Sequence, residues 1–546
     1  MKKSFALFCL FILVVAACKE KKEVEVADAA RYLKPDVMCG TVQFTDGCNP
    51  KTDTLIRFGI ALIHHMTYAD AAYTFDKVMR EDPDCFWGPW GKAMTYIHPV
   101  WPDAPSPEEL RSGYILSQKA MSLAKKDKEK LYGATIAAFY QQSNKSKVER
   151  LIDFEKAWAT AHEQLPDDIE AELFHGLFKL STVPPTDKSY VVQKEVGAMA
   201  ERILAKYPDH PGAFHYIIHA YDVPPLADKA LVAARTYGKI APEIPHALHM
   251  PTHIFTRLGL WQESIDWNKR SVMAALKLPV DSSINAETFH AMDYMVYAYL
   301  QLGEDDKAEE ILKEIDTLKG PYFAAPQSAY GLAAMAGRIP LEKHDWSRAA
   351  NLASPDTSTF PWKKFPQYEA MFYYAKGLGA ARSGNANATN DALYKLEALQ
   401  KSIGDSPQTK YWYNQLDAQK RAVKAWLLVS KGDTENAVLM MQYAADLEES
   451  TVKNPVSPGE LYPAIELLGD MLMELNRPEE ALAAYEKSLE SRPNRFNALY
   501  NAAKAAEKMG NKEKAKEYYT KLIALKGEVP TKRAAYAEAE KKVTGK

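Results

Sequence analysis

The sequence predicts an all-α fold, a right-handed superhelical solenoid of about eleven helical hairpins. Three observations carry this expectation. Ala-, Leu-, Glu- and Lys-rich stretches dominate from Leu55 to the end of the 546-residue chain, which favours helix throughout. Small, aromatic and proline residues recur with a period of ~34, the length of a helix–turn–helix unit that packs only on its neighbours. Two histidine pairs, His215/His219 and His249/His253, stand 34 residues apart. A solenoid also removes the need for the several domains that length alone suggests, because it grows without enlarging one core.

Taken in order, the chain opens with Lys2 and Lys3, the apolar run FALFCLFILVVAA and Cys18. The run is too short for a comfortable membrane span and has the charged start and small-residue end of a secretory signal. Residues 1–17 are therefore expected as a signal peptide and 18–50 as a tether and N-terminal cap. The segment KEKKEVEVADAARYLKP is charged and lacks an apolar face, as a flexible tether would. VAAC, Val15 to Cys18, resembles the lipobox of bacterial lipoproteins. That resemblance implies cleavage before Cys18 and lipidation of Cys18; a plain cleavable signal with a chance cysteine is the alternative. With Cys9 removed and Cys18 lipidated, Cys39, Cys48 and Cys85 remain in an oxidising compartment. Cys48 precedes the first helix of a hairpin and Cys85 follows the second, and such ends adjoin in an antiparallel pair. This favours Cys48–Cys85 over a short Cys39–Cys48 clip, which stays open.

The repeats are clearest at the two ends. With position 1 at Thr52, Gly59, Ala71, Phe75 and Pro83 fall at positions 8, 20, 24 and 32; with position 1 at Tyr462, Gly469, Ala481, Tyr485 and Pro493 take the same places. From Phe496, Gly510, Ala515 and Tyr519 take 15, 20 and 24. Small residues at 8 and 20 let the paired helices touch, and the proline stops the second helix. These are the marks of the tetratricopeptide repeat. Between the ends, Pro166, Pro208 and Pro242 hold the helix-ending place, Ala230, Ser264 and Ala308 hold position 20, and Gly259 and Gly303 hold 15. Pro/Ser/Asp-rich breaks at WPDAPSPEE, STVPPTDK, LPVDSSINAET and NLASPDTSTFPWKKFPQ read as loops. The last is taken as a hinge between an N-terminal block, 51–352, with a histidine-lined groove, and a C-terminal block, 353–546. No Gly-rich phosphate loop, GxSxG elbow, CxxC pair or HExxH is present.

The chain as a whole resembles bacterial tetratricopeptide-repeat lipoproteins. From Cys39 to Leu302 it resembles a subgroup marked by DPDCxxxxWG, HYIIHAYD and PHALHMPTHIF. The resemblance implies the fold and a lipid-anchored place in the bacterial cell envelope, on the outer membrane or periplasmic side. Lys19 behind the lipid cysteine speaks against inner-membrane retention by the rule of that family. No activity comes with the resemblance.

In such repeats positions 2, 5, 9, 12 and 13 of each first helix line the concave face. Here they bring His215, His219 and Asp222, then His246, His249, His253, Thr256 and Arg257, then His290, Asp293 and Tyr297. Two readings stay open. In one, the groove binds a protein segment or peptide, its imidazoles acting as hydrogen-bond partners, and the protein is a scaffold without enzymatic activity or cofactor. In the other, His215, His219, His249, His253 and Asp293 hold a transition metal (Zn, Cu, Fe or Ni), because neutral imidazole suits each of these. The protein is then a metal-dependent enzyme or a metal-binding protein. Pro251 lies inside the second histidine helix and is expected to kink it near Ala247, either aiming or misaligning its histidines. His64, His65, His162, His175 and His344 are expected to be satisfied locally, whereas His98 and Trp101 either extend a polar ligand surface toward the N-terminus or merely line the groove. The net charge of −3 gives no electrostatic footprint for nucleic acid, and membrane contact is expected through the lipid anchor only.

Overall fold

The computed structural model describes residues 32–44, 48–101, 103–141, 144–406, 408–527 and 531–545. The expected signal peptide, the lipidation site Cys18 and the start of the tether lie outside the described residues. Among the described residues there are no β-strands, only the isolated bridges Val280–Ser283 and Ile284–Tyr322. No described helix is long and apolar enough to cross a membrane.

Consecutive helices pack on one another along the chain. The first stretch runs α1 (Pro50–His64), α2 (Tyr68–Glu81), α3 (Trp87–Met94), α4 (Pro107–Leu123), α5 (Asp127–Tyr140), α6 (Lys147–Gln164), α7 (Ile169–Ser181) and α8 (Val191–Lys206). The middle holds α9 (Pro211–Tyr221), α10 (Leu231–Ile240), α11 (Pro245–His249), α12 (Pro251–Arg257), α13 (Trp261–Ala275), α14 (Ala286–Leu302), α15 (Asp305–Thr317), α16 (Pro326–Glu342) and α17 (Trp346–Ala350). The last stretch comprises α18 (Pro366–Arg382), α19 (Ala386–Ile403), α20 (Lys410–Ser430), α21 (Thr434–Glu449), α22 (Ala464–Glu474), α23 (Pro478–Ser491), α24 (Phe496–Lys508), α25 (Lys512–Ala524) and α26 (Ala534–Thr544). The four Pro/Ser/Asp-rich breaks lie at helix junctions, three of them running into the first turn of the next helix at Pro107, Ala286 and Pro366.

Local chemistry explains where these helices start. Asn49 accepts hydrogen bonds from the Lys51 and Thr52 amides, and Ser106/Glu109 and Ser146/Glu149 form reciprocal capping boxes, satisfying donors that have no partner within the helix. Proline opens α1, α4, α9, α11, α16, α18 and α23, where its missing N–H costs nothing. Pairing follows from the small residue at position 8. A Cβ on Gly59 would lie 2.6 Å from the Phe75 ring, and one on Gly469 would lie 2.5 Å from the Tyr485 ring. At both ends of the chain, then, the bare backbone of one helix receives the aromatic ring of the next.

Cys48 and Cys85 form a disulfide with Cα atoms 5.5 Å apart, tying the start of α1 to the approach of α3. A crosslink over such a loop contributes ~3–4 kcal/mol in the chain-entropy account. Cys39 is free and half-buried, and burial pushes its thiol up to about 11.

His65 pins the N-terminal segment to the first repeats. It donates from Nε2 to the Cys39 carbonyl at 2.9 Å and accepts at Nδ1 from the Tyr237 hydroxyl at 2.8 Å. Burial pushes its pKa down to about 3, so the unfolded chain, with a value near 6.5, takes up the proton first. The stability that His65 contributes is fully present above pH ~6.5 and is lost toward pH 3, at up to about 1.4 kcal/mol per pH unit. Urea unfolding of His65→Gln at pH 7 and pH 5 is expected to show a pH slope shallower by about one proton than the parent; an unchanged slope would count against a neutral buried ring.

The superhelix closes on itself. The Trp261 indole donates to the Asn494 carbonyl at 2.8 Å, the Phe496 amide to Gln301 Oε1 at 3.0 Å and the Tyr536 hydroxyl to the Leu302 carbonyl at 3.0 Å. At the junction Arg495, fully buried, binds Glu466 at 2.6 Å, Glu342 at 2.8 Å and the Tyr297 hydroxyl at 2.9 Å. Inside the closed turn runs the non-helical segment 451–463, TVKNPVSPGELYP. Its Val452 amide donates to the Pro185 carbonyl at 2.7 Å, the Tyr294 hydroxyl donates to its Ser457 carbonyl at 3.1 Å, and Arg338 donates to its Gly459 and Glu460 carbonyls at 3.2 and 2.5 Å. Val456, Ser457, Leu461 and Tyr462 are buried. On the concave side, where the histidine-lined groove is expected, the chain's own segment thus makes the contacts.

Candidate metal centres

The helices α9, α11/α12 and α14 each begin a hairpin, so their inner faces adjoin. The i,i+4 spacing stacks His215 on His219 along α9 and His249 on His253 along the second helix. Pro251 cannot donate to the Ala247 carbonyl, and the ladder shortens there, the His253 amide bonding to Met250. Met250 nevertheless stays right-handed helical, at φ −52° and ψ −37°. The break therefore leaves His249 and His253 on one face, their Nε2 atoms 3.0 Å apart.

Six histidines form two trios. In each, one ring nitrogen per residue lies within 4.8 Å of the others: His215, His219 and His246 in the first, His249, His253 and His290 in the second. Nitrogens bound to one tetrahedral ion at ~2.0–2.1 Å stand roughly 3.3 Å apart, so an ion would draw rings at the 4.8 Å limit closer together.

Outer partners fix the tautomers. In the first trio His215 Nδ1–H donates to the His64 carbonyl at 2.6 Å and His246 Nδ1–H to Glu287 Oε2 at 3.2 Å. The His215 Nε2 lone pair is therefore bare. Nε2 of His215, His219 and His246 are all buried without a hydrogen-bond partner. In the second trio His249 Nδ1–H donates to Asn268 Oδ1 at 2.8 Å and His253 Nδ1–H to Asp222 Oδ2 at 3.0 Å. The Asn268 amide is oriented by its own donation to the Ser264 carbonyl at 2.9 Å. The two facing Nε2 atoms are then both acceptors and cannot satisfy each other. His290 Nδ1 is also unpartnered. Glu287 touches both trios, because its other oxygen lies 3.8 Å from His249 Nδ1.

Burial makes each imidazolium costly. It pushes His219 and His249 down to about 3, His215 and His290 well below the ordinary range, and His253 down despite Asp222 beside it. All five are neutral at pH 7, the form that ligates a metal. Burial opposes the Asp222 anion, but Lys453 and Arg257 outweigh it and hold the carboxyl well below its usual value. Arg257 Nε lies 2.8 Å from Asp222 Oδ1. Lys453, brought in by the segment 451–463, lies 3.9 Å from Oδ2 and is itself pushed down to about 8 by burial.

Two expectations are corrected. The four paired histidines do not share one point: α9 contributes its pair to His246, at the start of the broken helix, and the other pair belongs with His290. Asp293 is not part of either trio. One turn beyond His290, it leans toward α16, where its buried carboxylate, pushed up to about 6, faces Arg338 Nε at 3.5 Å. Tyr297 lies farther along α14, at the Arg495 junction.

A third group, His64, Glu170 and His210, behaves differently. Glu170 binds His64 Nε2 at 2.6 Å and His210 Nε2 at 3.1 Å, while His64 Nδ1 meets the Tyr216 hydroxyl at 2.8 Å and His210 Nδ1 accepts from the Ala213 amide at 3.4 Å. Every ring nitrogen has a partner, so this group pins α1, α7 and α9 together. His98 pairs with Asp103 at 2.5 Å and stacks on Tyr68; with Trp101 it walls a cavity of ≈ 470 Å³ that reaches His246 and Glu287. Sequence reasoning missed Glu287, Asn268 and Lys453. Only Glu287 left a signal, three residues before His290 and hence on the same helical face.

Comparison with known proteins finds the tetratricopeptide repeat at residues 462–495 and 496–528, the two units whose first positions are Tyr462 and Phe496. Repeats of this class are scaffolds suited to protein–protein interaction. No curated protein matches the chain. Similar solved structures include Naa15/Naa10 bound to HypK-THB, at 12% identity over 87% of this chain and 75% of that one, with a TM-score of 0.22. The Cut9–Hcn1 hetero-tetramer of the APC/C is similar at 12% identity over 90% of this chain and 96% of that one, with a TM-score of 0.28.

Proposed function

We propose that this chain is a metal-binding protein, holding first-row transition-metal ions at two adjacent trihistidine centres inside a tetratricopeptide solenoid. The observation that carries the reading is the meeting of ring nitrogens of His215, His219 and His246 within 4.8 Å, each of these residues having its Nε2 buried and unpartnered. An orphaned buried acceptor costs about 1–3 kcal/mol, and three at one spot are costly unless something accepts their lone pairs. Neutral imidazoles without an inner carboxylate suit Zn, Cu, Ni or Fe rather than Mg or Ca. Asp222 and Glu287, one shell out, orient the rings and offset the ionic charge. Three protein ligands would leave a coordination position open, and of the first trio His246 borders the cavity. A peptide in the groove loses support at these residues, because the segment 451–463 takes that place. Anchoring through Cys18 on the outer membrane or periplasmic side rests on the VAAC lipobox.

Elemental analysis of untagged protein, purified without added metal, tests the proposal. Two ions per chain are expected, with His246→Ala losing one and His290→Ala the other. A folded parent carrying no stoichiometric ion, also after incubation with Zn, Cu, Ni or Fe(II) salts, would sink it.

A further inference from the structure

The cavity beside the first centre has chemistry of its own. At ≈ 470 Å³ it falls within the ~300–1,000 Å³ of small-molecule sites. Its lining includes Glu287 and Gln327, residues each 7% exposed, whose Oε1 atoms are buried acceptors without partners. Such atoms call for a donor. The lining holds five carboxylates and one lysine, and that lysine, Lys92, is already bound to Asp76 at 2.5 Å. An anion is therefore repelled and a cation favoured. The walls are aromatic: the Tyr68 ring stacks on His98 at 4.3 Å, with Trp101 set edge-on at 5.4 Å. These π-faces attract an ammonium group and cover a flat apolar body.

We infer that this cavity binds a small aromatic amine in its ammonium form, the charged nitrogen donating to Glu287 Oε1 and Gln327 Oε1 and the ring lying among Tyr68, His98 and Trp101. The inference does not rest on the metal reading, since the acceptors, carboxylates and rings are present whichever ion the histidines hold.

The test is titration calorimetry on the full chain as purified, repeated after chelation, with tyramine, 4-ethylphenol and 3-(4-hydroxyphenyl)propionate as probes. Tyramine is expected to bind about tenfold or more tighter than 4-ethylphenol, which lacks the charge-assisted hydrogen bonds, and the carboxylate is expected not to bind. Binding should survive chelation. Glu287→Gln and Gln327→Leu should each weaken tyramine by about fivefold or more, and Trp101→Ala, on the half-buried rim, by a few-fold. Circular dichroism reports whether each variant is folded, and the rim variant decides if the Glu287 or Gln327 variant is not. Equal binding of 4-ethylphenol, binding that vanishes with the metal, or no heat from tyramine would each overturn the inference, while metal content separately judges the centres.

Discussion

Arg495→Met is expected to detach the C-terminal repeats from the middle of the chain and to cost about 3–5 kcal/mol. The guanidinium is fully buried between Glu342 and Glu466, which are themselves buried, at 2.8 and 2.6 Å. Removing it leaves two buried carboxylates without the guanidinium that pairs them, and a desolvated unpaired charge costs far more than a lost surface pair. The loss falls on one joint, because a solenoid divides its stability among neighbouring units. Limited proteolysis should therefore cut within 451–463 and around α24 well before the first repeats. Glu466→Gln in the Arg495→Met background should restore part of the resistance by removing one stranded charge. Digestion at an unchanged rate would show that the closing contact does not depend on this arginine.

The junction also shows why the repeats were legible and the closure was not. Gly469, Ala481, Tyr485 and Pro493 announce a hairpin through contacts within it, a glycine backbone against a tyrosine ring. Arg495 joins Glu342 and Tyr297 across 153 and 198 residues, a meeting set by the pitch of the whole superhelix and by no local spacing. The histidines divide in the same way. Spacing of i,i+4 placed His215 with His219 and His249 with His253 on single faces, but the partner each pair receives from the next helix depends on how successive helices are offset. His246 and His290 thus appeared as neighbours of one site and not as third members of two. The sequence of 451–463, with its prolines and glycine, marks a loop without saying that the loop runs inward.

The second large effect is expected from metal loading. An ion held a thousandfold above its dissociation constant stabilises the folded chain by about 4 kcal/mol per centre. Zinc or nickel should raise the thermal midpoint and a chelator should lower it, with His290→Ala halving the gain. Hydrogen exchange should slow in α9, α11, α12 and α14, which the six imidazoles join, and stay unchanged in α18–α21. Equal slowing everywhere, or no change in α9–α14, would mean that bound ions lie elsewhere.

The inward segment 451–463 gives the molecule a timetable. Synthesis and export both run from the N-terminus onward, and early repeats can pack while later ones have yet to arrive. All six histidines emerge more than 150 residues before Lys453, so for that interval their face is wet and reachable. Once the segment is laid down, the Val452–Pro185 and Tyr294–Ser457 bonds and the Lys453–Asp222 contact cover the second trio from within. Entry would be easier before closure than after it. On the metal reading, an ion at the second trio would be a record of what the folding chain met, more than of what the finished protein is later offered.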